Sequence, residues 1–451
     1  MKTLAQIGAE LQGYDPQALS APQVLDFLSQ LVTPVRDVLE LPLFEALGRV
    51  LAADVISPFD VPPHDNSAMD GYAFDGGQLQ TDAPLVLQVM GTALAGKAWQ
   101  GKDGPVKAGQ CVKIMTGAIM PQGLDTVVPQ EFVTLSQAGG RDHITIAPAL
   151  LRAGDNRRLR GEDLMQGKPA LQKGELLTPA RIGLAASLGL KTLTTWRPLR
   201  VAYFSTGDEI LSLGEAPREG AVYDSNRYTV FGMLSRLGCQ MIDMGVVRDD
   251  PALLEAAFTE AATQADAIIT SGGVSVGEAD YTKAMMKKLG DVAFWRIAMR
   301  PGRPMAVGRI LPKKSATHPI PTETGSYLNN SNPEGAVLFG LPGNPVAVMV
   351  TFLAFVRPAL LQMMGSTEAQ PPLLKARSTE AIRKKPGRTE YQRGWVSTAP
   401  DGALHVKTTG SQGSGVLRSM AEANGLIVLH HGQGNVAVGD EVDVLMFAGA
   451  L

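Results

Sequence analysis

Residues 200–209, RVAYFSTGDE, carry the reading that decides the fold. An apolar strand, RVAYFS, runs into a turn of small and acidic residues, and helical and strand periods then alternate along the chain. NRYTVFGMLSRLG (226–238) has the helical period and MIDMGVV (241–247) reads as a strand; PALLEAAFTEAATQA (251–265) is helical again and AIITSGG (267–273) extended. DYTKAMMKKLG (280–290), PMAVGRI (304–310), AVLFGL (336–341) and VAVMVTFLAFV (346–356) continue the series as helix, strand, strand and helix. Such a series predicts a parallel, doubly wound α/β sheet with right-handed crossovers.

In sheets of that kind ligands bind beyond the carboxyl ends of the strands, where helix N-termini direct unpaired N–H groups at them. Four loops fall there. Ser205, Thr206 and Gly207 are small enough to let the backbone approach a phosphate, and Asp208 and Glu209 could hold a hard cation, although a simple turn with solvated acids has the same composition. Ser271, Gly272, Gly273 and Ser275 form a nest of N–H and hydroxyl donors suited to phosphoryl oxygens, followed by Glu278 and Asp280. Pro342, Gly343 and Asn344 open the last apolar helix, as a binding loop or as a rigid helix entry. Arg296, Arg300 and Arg303 place three guanidinium groups within a stretch stiffened by Pro-Gly-Arg-Pro, each able to grip an oxyanion. Asp250 before Pro251 reads as a helix N-cap, which leaves Asp249 as a spare carboxylate.

Upstream of this core, Ser20 and Gln23 make a capping box for a helix with Val24, Phe27, Leu28 and Leu31 on one face. A second amphipathic stretch is expected near Leu43–Leu51. The Pro-rich segment 57–74, SPFDVPPHDNSAMDGYAF, cannot form regular helix and marks a boundary. Short runs between 75 and 150, LVLQVM, CVKIM, TVVPQEFVTL and HITIA, predict a small all-β domain, and LTPARIGLAASLGL a helix after it. Residues 311–335 read as an irregular surface insertion, and the alternating runs YQRGWVSTA, ALHVKTT and GLIVLH as a C-terminal β-barrel or sandwich. The expected domains are 1–55 with 161–194 (helical and linker), 56–160 (inserted β), 195–370 (α/β) and 371–451 (C-terminal β).

A chain of 451 residues exceeds one hydrophobic core, so several domains are required. Its 41 basic and 44 acidic residues give a net charge of −3, which supplies no global field for nucleic acid or acidic membranes, so any anion site is local. Cys111 and Cys239 offer neither a disulfide framework nor a Cys-x-x-Cys metal site, consistent with a reducing cytoplasm. His64 stands alone, and His430-His431 lack ligand spacing, which disfavours zinc sites and nucleophilic triads. The N-terminus lacks an apolar signal region, and the apolar run Val346 to Val356 is shorter than a bilayer-spanning helix, so no membrane segment is expected.

Seven segments, DNSAMDGYAF (65–74), IMTGA (114–118), RRLRGED (157–163), FSTGDEI (204–210), GGVSVGEADYTK (272–283), MRPGRPMAVG (299–308) and GLPGNPVAV (340–348), together resemble the MoeA family of molybdopterin molybdenumtransferases in order and spacing. The resemblance spans about residue 18 to the C-terminus. It implies molybdenum insertion into adenylylated molybdopterin with release of AMP, the final step of molybdenum cofactor synthesis, with magnesium as cofactor and molybdate as second substrate. Carried over by motif, the catalytic positions fall at Asp70, Thr116, Glu209, Asp249 and Asp280, the last three also as magnesium ligands. Substrate-binding positions fall at Arg296, Arg300, Arg393 and Ser414; relatives often carry Lys at 296, 300 and 303, where this chain has Arg. The resemblance further implies a homodimer whose cleft is completed by the second subunit, and transient contact with molybdopterin adenylyltransferase and molybdoenzyme-maturation proteins. Two other functions share the fold: a molybdopterin adenylyltransferase, acting one step earlier, and a scaffold of the gephyrin type.

Overall fold

The computed structural model of the chain describes residues 2–101, 104–274, 281–312, 320–321, 327–328, 335–368 and 370–448. They form two compact units. One comprises 1–53, 174–179 and 192–451, the other 54–173 and 180–191.

The first unit is built on a six-stranded sheet in the order Gln240–Val247, Arg200–Thr206, Ala267–Ser271, Ala336–Leu341, Pro304–Ile310, Gly290–Arg296. The first four strands are parallel, as the alternation of periods requires. The last two are antiparallel additions, so the sheet is mixed at one edge. The strand Gly290–Arg296 is absent from the sequence reading, which took Arg296 as part of a loop; it is held by Trp295, whose buried ring meets Phe27 edge-on at 4.9 Å and whose indole N–H donates to the Tyr14 hydroxyl at 3.1 Å.

Side chains alternate between two faces with the strand period of two. Val201, Tyr203, Ile269, Val307 and Phe339 pack with Val24, Phe27, Leu28 and Leu31 of the Ala21–Leu31 helix and with Val230, Met233 and Leu234 of the Ser225–Arg236 helix. Ala202, Phe204, Ile268, Ala306 and Leu338 pack on the opposite face with Ala257, Phe258 and Ala261 of Pro251–Gln264 and Met286 of Tyr281–Leu289. The Gln23 carboxamide accepts from the Ser20 N–H and hydroxyl at 3.0 and 2.9 Å, fixing the start of its helix. A further helix, Leu4–Glu10, opens the chain and was not foreseen. Residues 43–51, expected to be an amphipathic stretch, hold a 3-10 turn at Leu43–Glu45 before Val50 and Leu51 turn to bridges with Leu176 and Thr195. Pairing with distant segments decides that stretch.

The apolar helix that begins at Pro345 continues beyond the run read from sequence. It passes through a π-helical turn, Phe352–Val356, into Arg357–Met363. Pro358 supplies the cause: its ring would meet the carbonyl of residue 354 in a regular helix, and widening the turn before it removes the clash. By length and apolarity this helix could cross a bilayer, but Val346, Val348, Val350, Phe352, Phe355 and Leu360 are fully buried in the sheet's core, which makes it a core helix.

The same unit ends in a closed five-stranded barrel. Thr389–Thr398 pairs with Leu404–Thr408, that strand with Leu374–Ser378, then Glu441–Met446, then Gly425–Leu429, which returns to Thr389–Thr398. Ala376, Val396, Val406, Ile427, Leu429 and Val444 fill it. Within 311–335, read as irregular, Ile320–Pro321 pairs with Tyr327–Leu328.

In the second unit a six-stranded sheet runs in the order Thr126–Pro129, Gly71–Phe74, Gln110–Ile114, Leu85–Ala93, Arg141–Ile146, Val133–Ala138. The β-type run TVVPQEFVTL forms two strands, divided by a 3-10 turn after Pro129. The Pro179–Ser187 helix lies where the sequence placed it.

At the amino edge of the α/β sheet Arg197 meets Asp266 through two bonds of 2.7 and 2.6 Å and also reaches Asp37 at 2.7 Å, while Asp266 accepts the Arg200 N–H. Both partners of the bidentate pair are buried. Removing one charge strands the other, so Asp266→Asn should cost about 3 kcal/mol of stability. Denaturant midpoints test this; a change within about 0.5 kcal/mol would show that the pair holds nothing together.

Candidate active site

A cavity of about 690 Å³ lies at the carboxyl edge of the α/β sheet, a size that suits a small organic ligand. From Arg200–Thr206 the chain goes to the strand on one side, Gln240–Val247, and then to the strand on the other, Ala267–Ser271. The loops leaving these strands diverge there and open a crevice. Thr206, Gly207 and Glu209 line it from the first strand, Asp249 from the second, Gly272 and Gly273 from the third, and Pro342, Gly343 and Asn344 from Ala336–Leu341. Gly272 has φ +96°, and a Cβ on it would lie 2.5 Å from the Thr206 carbonyl oxygen, so only glycine lets these loops approach so closely.

The rest of the lining comes from the arginine-rich loop and the barrel. Met299 and Arg300 pair in parallel with Thr389 and Glu390, which ties that loop to the barrel's longest strand. Arg300, Arg303, Arg388, Gln412, Gly413 and Ser414 thereby reach the cavity. Arg388 is aimed by the buried Glu390, which accepts its Nε at 2.8 Å and takes the Gln392 amide at 3.1 Å on its other oxygen. Asn344 donates to the Ser414 hydroxyl at 3.1 Å, and Asn226 donates to the Gly343 carbonyl at 2.7 Å, fixing the GLPGNP loop from both sides.

Arg393 lies behind this lining. Its guanidinium is buried and donates to the Ser411 and Gly413 carbonyls and the Ser419 hydroxyl, each at 3.0 Å. Burial, with the positive charge of Arg300 beside it, pushes its pKa down to about 10. It therefore keeps its proton at neutral pH, and it shapes the 411–414 loop while adding positive potential behind it.

The acids divide between the two units. Asp250 caps the Pro251–Gln264 helix, accepting from the Ala252 and Leu253 N–H groups at 2.9 and 3.0 Å, and Asp249 is left to line the cavity. Among the described residues no group of three His, Cys, Asp or Glu side chains could hold a metal ion. Ser275 and Asp280 lie outside the described residues, so the expected three-acid cluster is represented by Glu209 and Asp249. Asp70 and Thr116 belong to the second unit: Gly71 pairs with Ile114, which brings them together, and the Thr116 N–H and hydroxyl both donate to Asp70 Oδ1 at 2.7 Å. Those bonds hold the Asp70 carboxyl below its usual range and keep it charged at neutral pH.

Three further residues are placed apart from the lining. The Ser205 and Ser271 hydroxyls are buried under the floor, not on it. Arg296 ends its strand exposed and does not reach the cavity. Thr206 does reach it, and among the described residues its buried hydroxyl has no partner, an orphan that a ligand would satisfy.

Three family profiles cover the chain: the MoeA N-terminal region (domains I and II) over 19–189, a probable molybdopterin binding domain over 202–362, and the MoeA C-terminal region (domain IV) over 375–447. A molybdopterin molybdenumtransferase of Haemophilus influenzae is 41% identical over 408 residues, which is 90% of this chain and 93% of that protein. One from Nostoc sp. is 35% identical over 409 residues, 89% of this chain and 87% of the relative. The chain belongs to the MoeA family of molybdopterin molybdenumtransferases. A solved MoeA structure from Pyrococcus horikoshii OT3 superposes with a TM-score of 0.74 at 25% identity, covering 95% of this chain and all of that one.

Arg388 and Gln412 line the cavity without being marked in the sequence. No local signal marks them, because their position depends on the pairing of residues 299–300 with 389–390. Arg393→Lys keeps the charge but cannot span three acceptors. It should lower stability by about 1–3 kcal/mol and speed amide exchange in residues 411–414. Unchanged exchange in that loop would remove Arg393 as its organiser.

Proposed function

We propose that the cavity binds adenylylated molybdopterin and molybdate and that the enzyme couples hydrolysis of the phosphoanhydride, which releases AMP, to capture of molybdenum by the two dithiolene sulfurs, whose protons leave with displaced molybdate oxygen as water. One observation carries this reading: three arginines, backed by a buried fourth, face strand-end loops rich in backbone donors at the sheet's switch point. Both substrates are strongly anionic, and family membership supplies their identity.

The Gly207 and Gly273 turns offer N–H groups to the phosphates, with the Thr206 hydroxyl, which has no partner among the described residues, beside them. Arg300, Arg303 and Arg388 provide planar forks for an oxyanion, and their fixed charge offsets that of the molybdate dianion. Glu209 and Asp249 would repel phosphates if left alone, but two carboxylates beside a phosphate site are a donor set that fits magnesium. Bound there, the metal would withdraw charge from the anhydride and ease departure of AMP. The enzyme works, on this reading, as a cytoplasmic homodimer in transient contact with a molybdopterin adenylyltransferase and with molybdoenzyme-maturation proteins.

AMP release from adenylylated molybdopterin, followed against molybdate and magnesium, is the test. Arg300→Ala should raise the KM for molybdate while leaving pterin binding nearly unchanged; equal loss for both would assign Arg300 to the phosphates. Glu209→Gln should raise the magnesium concentration needed for half-maximal AMP release, and an unaltered dependence with an unaltered maximal rate would remove Glu209 from the site. An adenylyltransferase would instead release pyrophosphate from ATP, and a scaffold would do neither.

A further inference from the structure

Directly beneath the cavity floor three buried hydroxyls form a triangle. The Tyr203 hydroxyl lies 2.8 Å from Ser205 Oγ and 2.8 Å from Ser271 Oγ, and the two serines are 3.1 Å apart. All three residues are buried. Burial pushes the Tyr203 phenol above its ordinary pKa, so it stays protonated. Three protonated hydroxyls in a triangle can each donate to the next, and such a ring consumes every proton it holds. The Ser205 and Ser271 hydroxyls, assigned from sequence to the substrate, are thus turned to Tyr203 and to each other.

The ring's position gives it a different task. Ser205 and Ser271 are the last paired residues between their two parallel strands. One residue further on, the chains diverge into the Thr206–Gly207 and Gly272–Gly273 loops, and Gly272 N–H goes to Leu341 on another strand. On its other side the Arg200–Thr206 strand shifts register against Gln240–Val247 between Tyr203 and Ser205. The carboxyl end of this strand is thus irregular toward one neighbour, and its alignment depends on the other.

We propose that Tyr203 is a positioning residue for the phosphates of the pterin substrate, closing a ring of buried hydroxyls that sets the spacing of the two donor loops at the mouth of the sheet. The proposal rests on the reading of the cavity given above. Tyr203 touches no substrate; it acts through the two serines and the backbone they terminate.

Tyr203→Phe keeps the ring's volume and removes the hydroxyl. The KM for adenylylated molybdopterin should rise roughly five-fold, the worth of one ordinary hydrogen bond. The turnover number and the KM for molybdate should stay within roughly two-fold, because the arginines are untouched. Amide exchange at Gly207, Gly272 and Gly273 should quicken without ligand, and Ser271→Ala should repeat both effects. An unchanged pterin KM overturns the proposal, as does a parallel change in turnover and both KM values, which would reveal general distortion. If the wild-type enzyme fails to turn over adenylylated molybdopterin, the functional reading falls. The exchange measurement then decides the ring by itself, and unchanged protection of the three glycines in Tyr203→Phe overturns it.

Discussion

The site depends on the reversal of strand order around Arg200–Thr206. A strand with neighbours reached in opposite directions must send its loop away from one of theirs, and the resulting gap is the place in a parallel sheet where a ligand can enter without breaking a ladder. The other features of the cavity follow from filling that gap. Gly272 lets the floor close tightly, Asn226 and Ser414 hold the third loop, and the pairing of Met299–Arg300 with Thr389–Glu390 brings a barrel to its side. The sheet supplies partial positive charge from N–H groups; the barrel and its attached loop supply whole charges.

Two buried arginines show how the chain treats charge at the two edges of the sheet. At the amino edge Arg197 is matched by Asp266 and Asp37. At the carboxyl edge the guanidinium of Arg393 rests on two carbonyls and a hydroxyl, with Arg300 as its charged neighbour. The first arrangement satisfies a charge internally and is structural. The second leaves positive potential on the cavity side, the arrangement on which the proposed anion site rests.

The sequence disclosed what is encoded locally. Alternating periods gave the parallel strands, the small and acidic turns marked the strand ends, and the Ser20–Gln23 capping box and the Asp250 N-cap stand where they were read. Pairing between distant segments stayed hidden. Gly290–Arg296 is a strand because a partner and Trp295 hold it, residues 43–51 follow bridges to Leu176 and Thr195, and Arg388 reaches the cavity only through residues 299–300. Ser205 and Ser271 illustrate the opposite error: their type and place suggested phosphate donors, but their hydroxyls are already bonded to Tyr203.

The division of the chain carries a consequence for its synthesis. Residues 1–53 belong to the unit completed by 192–451, and Leu4 donates to Asp291 across the whole intervening insertion. The N-terminal helices therefore leave the ribosome long before the sheet they cover exists, and their apolar faces stay exposed until the central strands are made. The inserted unit, 54–173 with 180–191, is continuous along the chain but for residues 174–179. Order of emergence and order of completion therefore differ: the N-terminal segments of the first unit are made before the inserted unit, and the sheet they pack on is made after it.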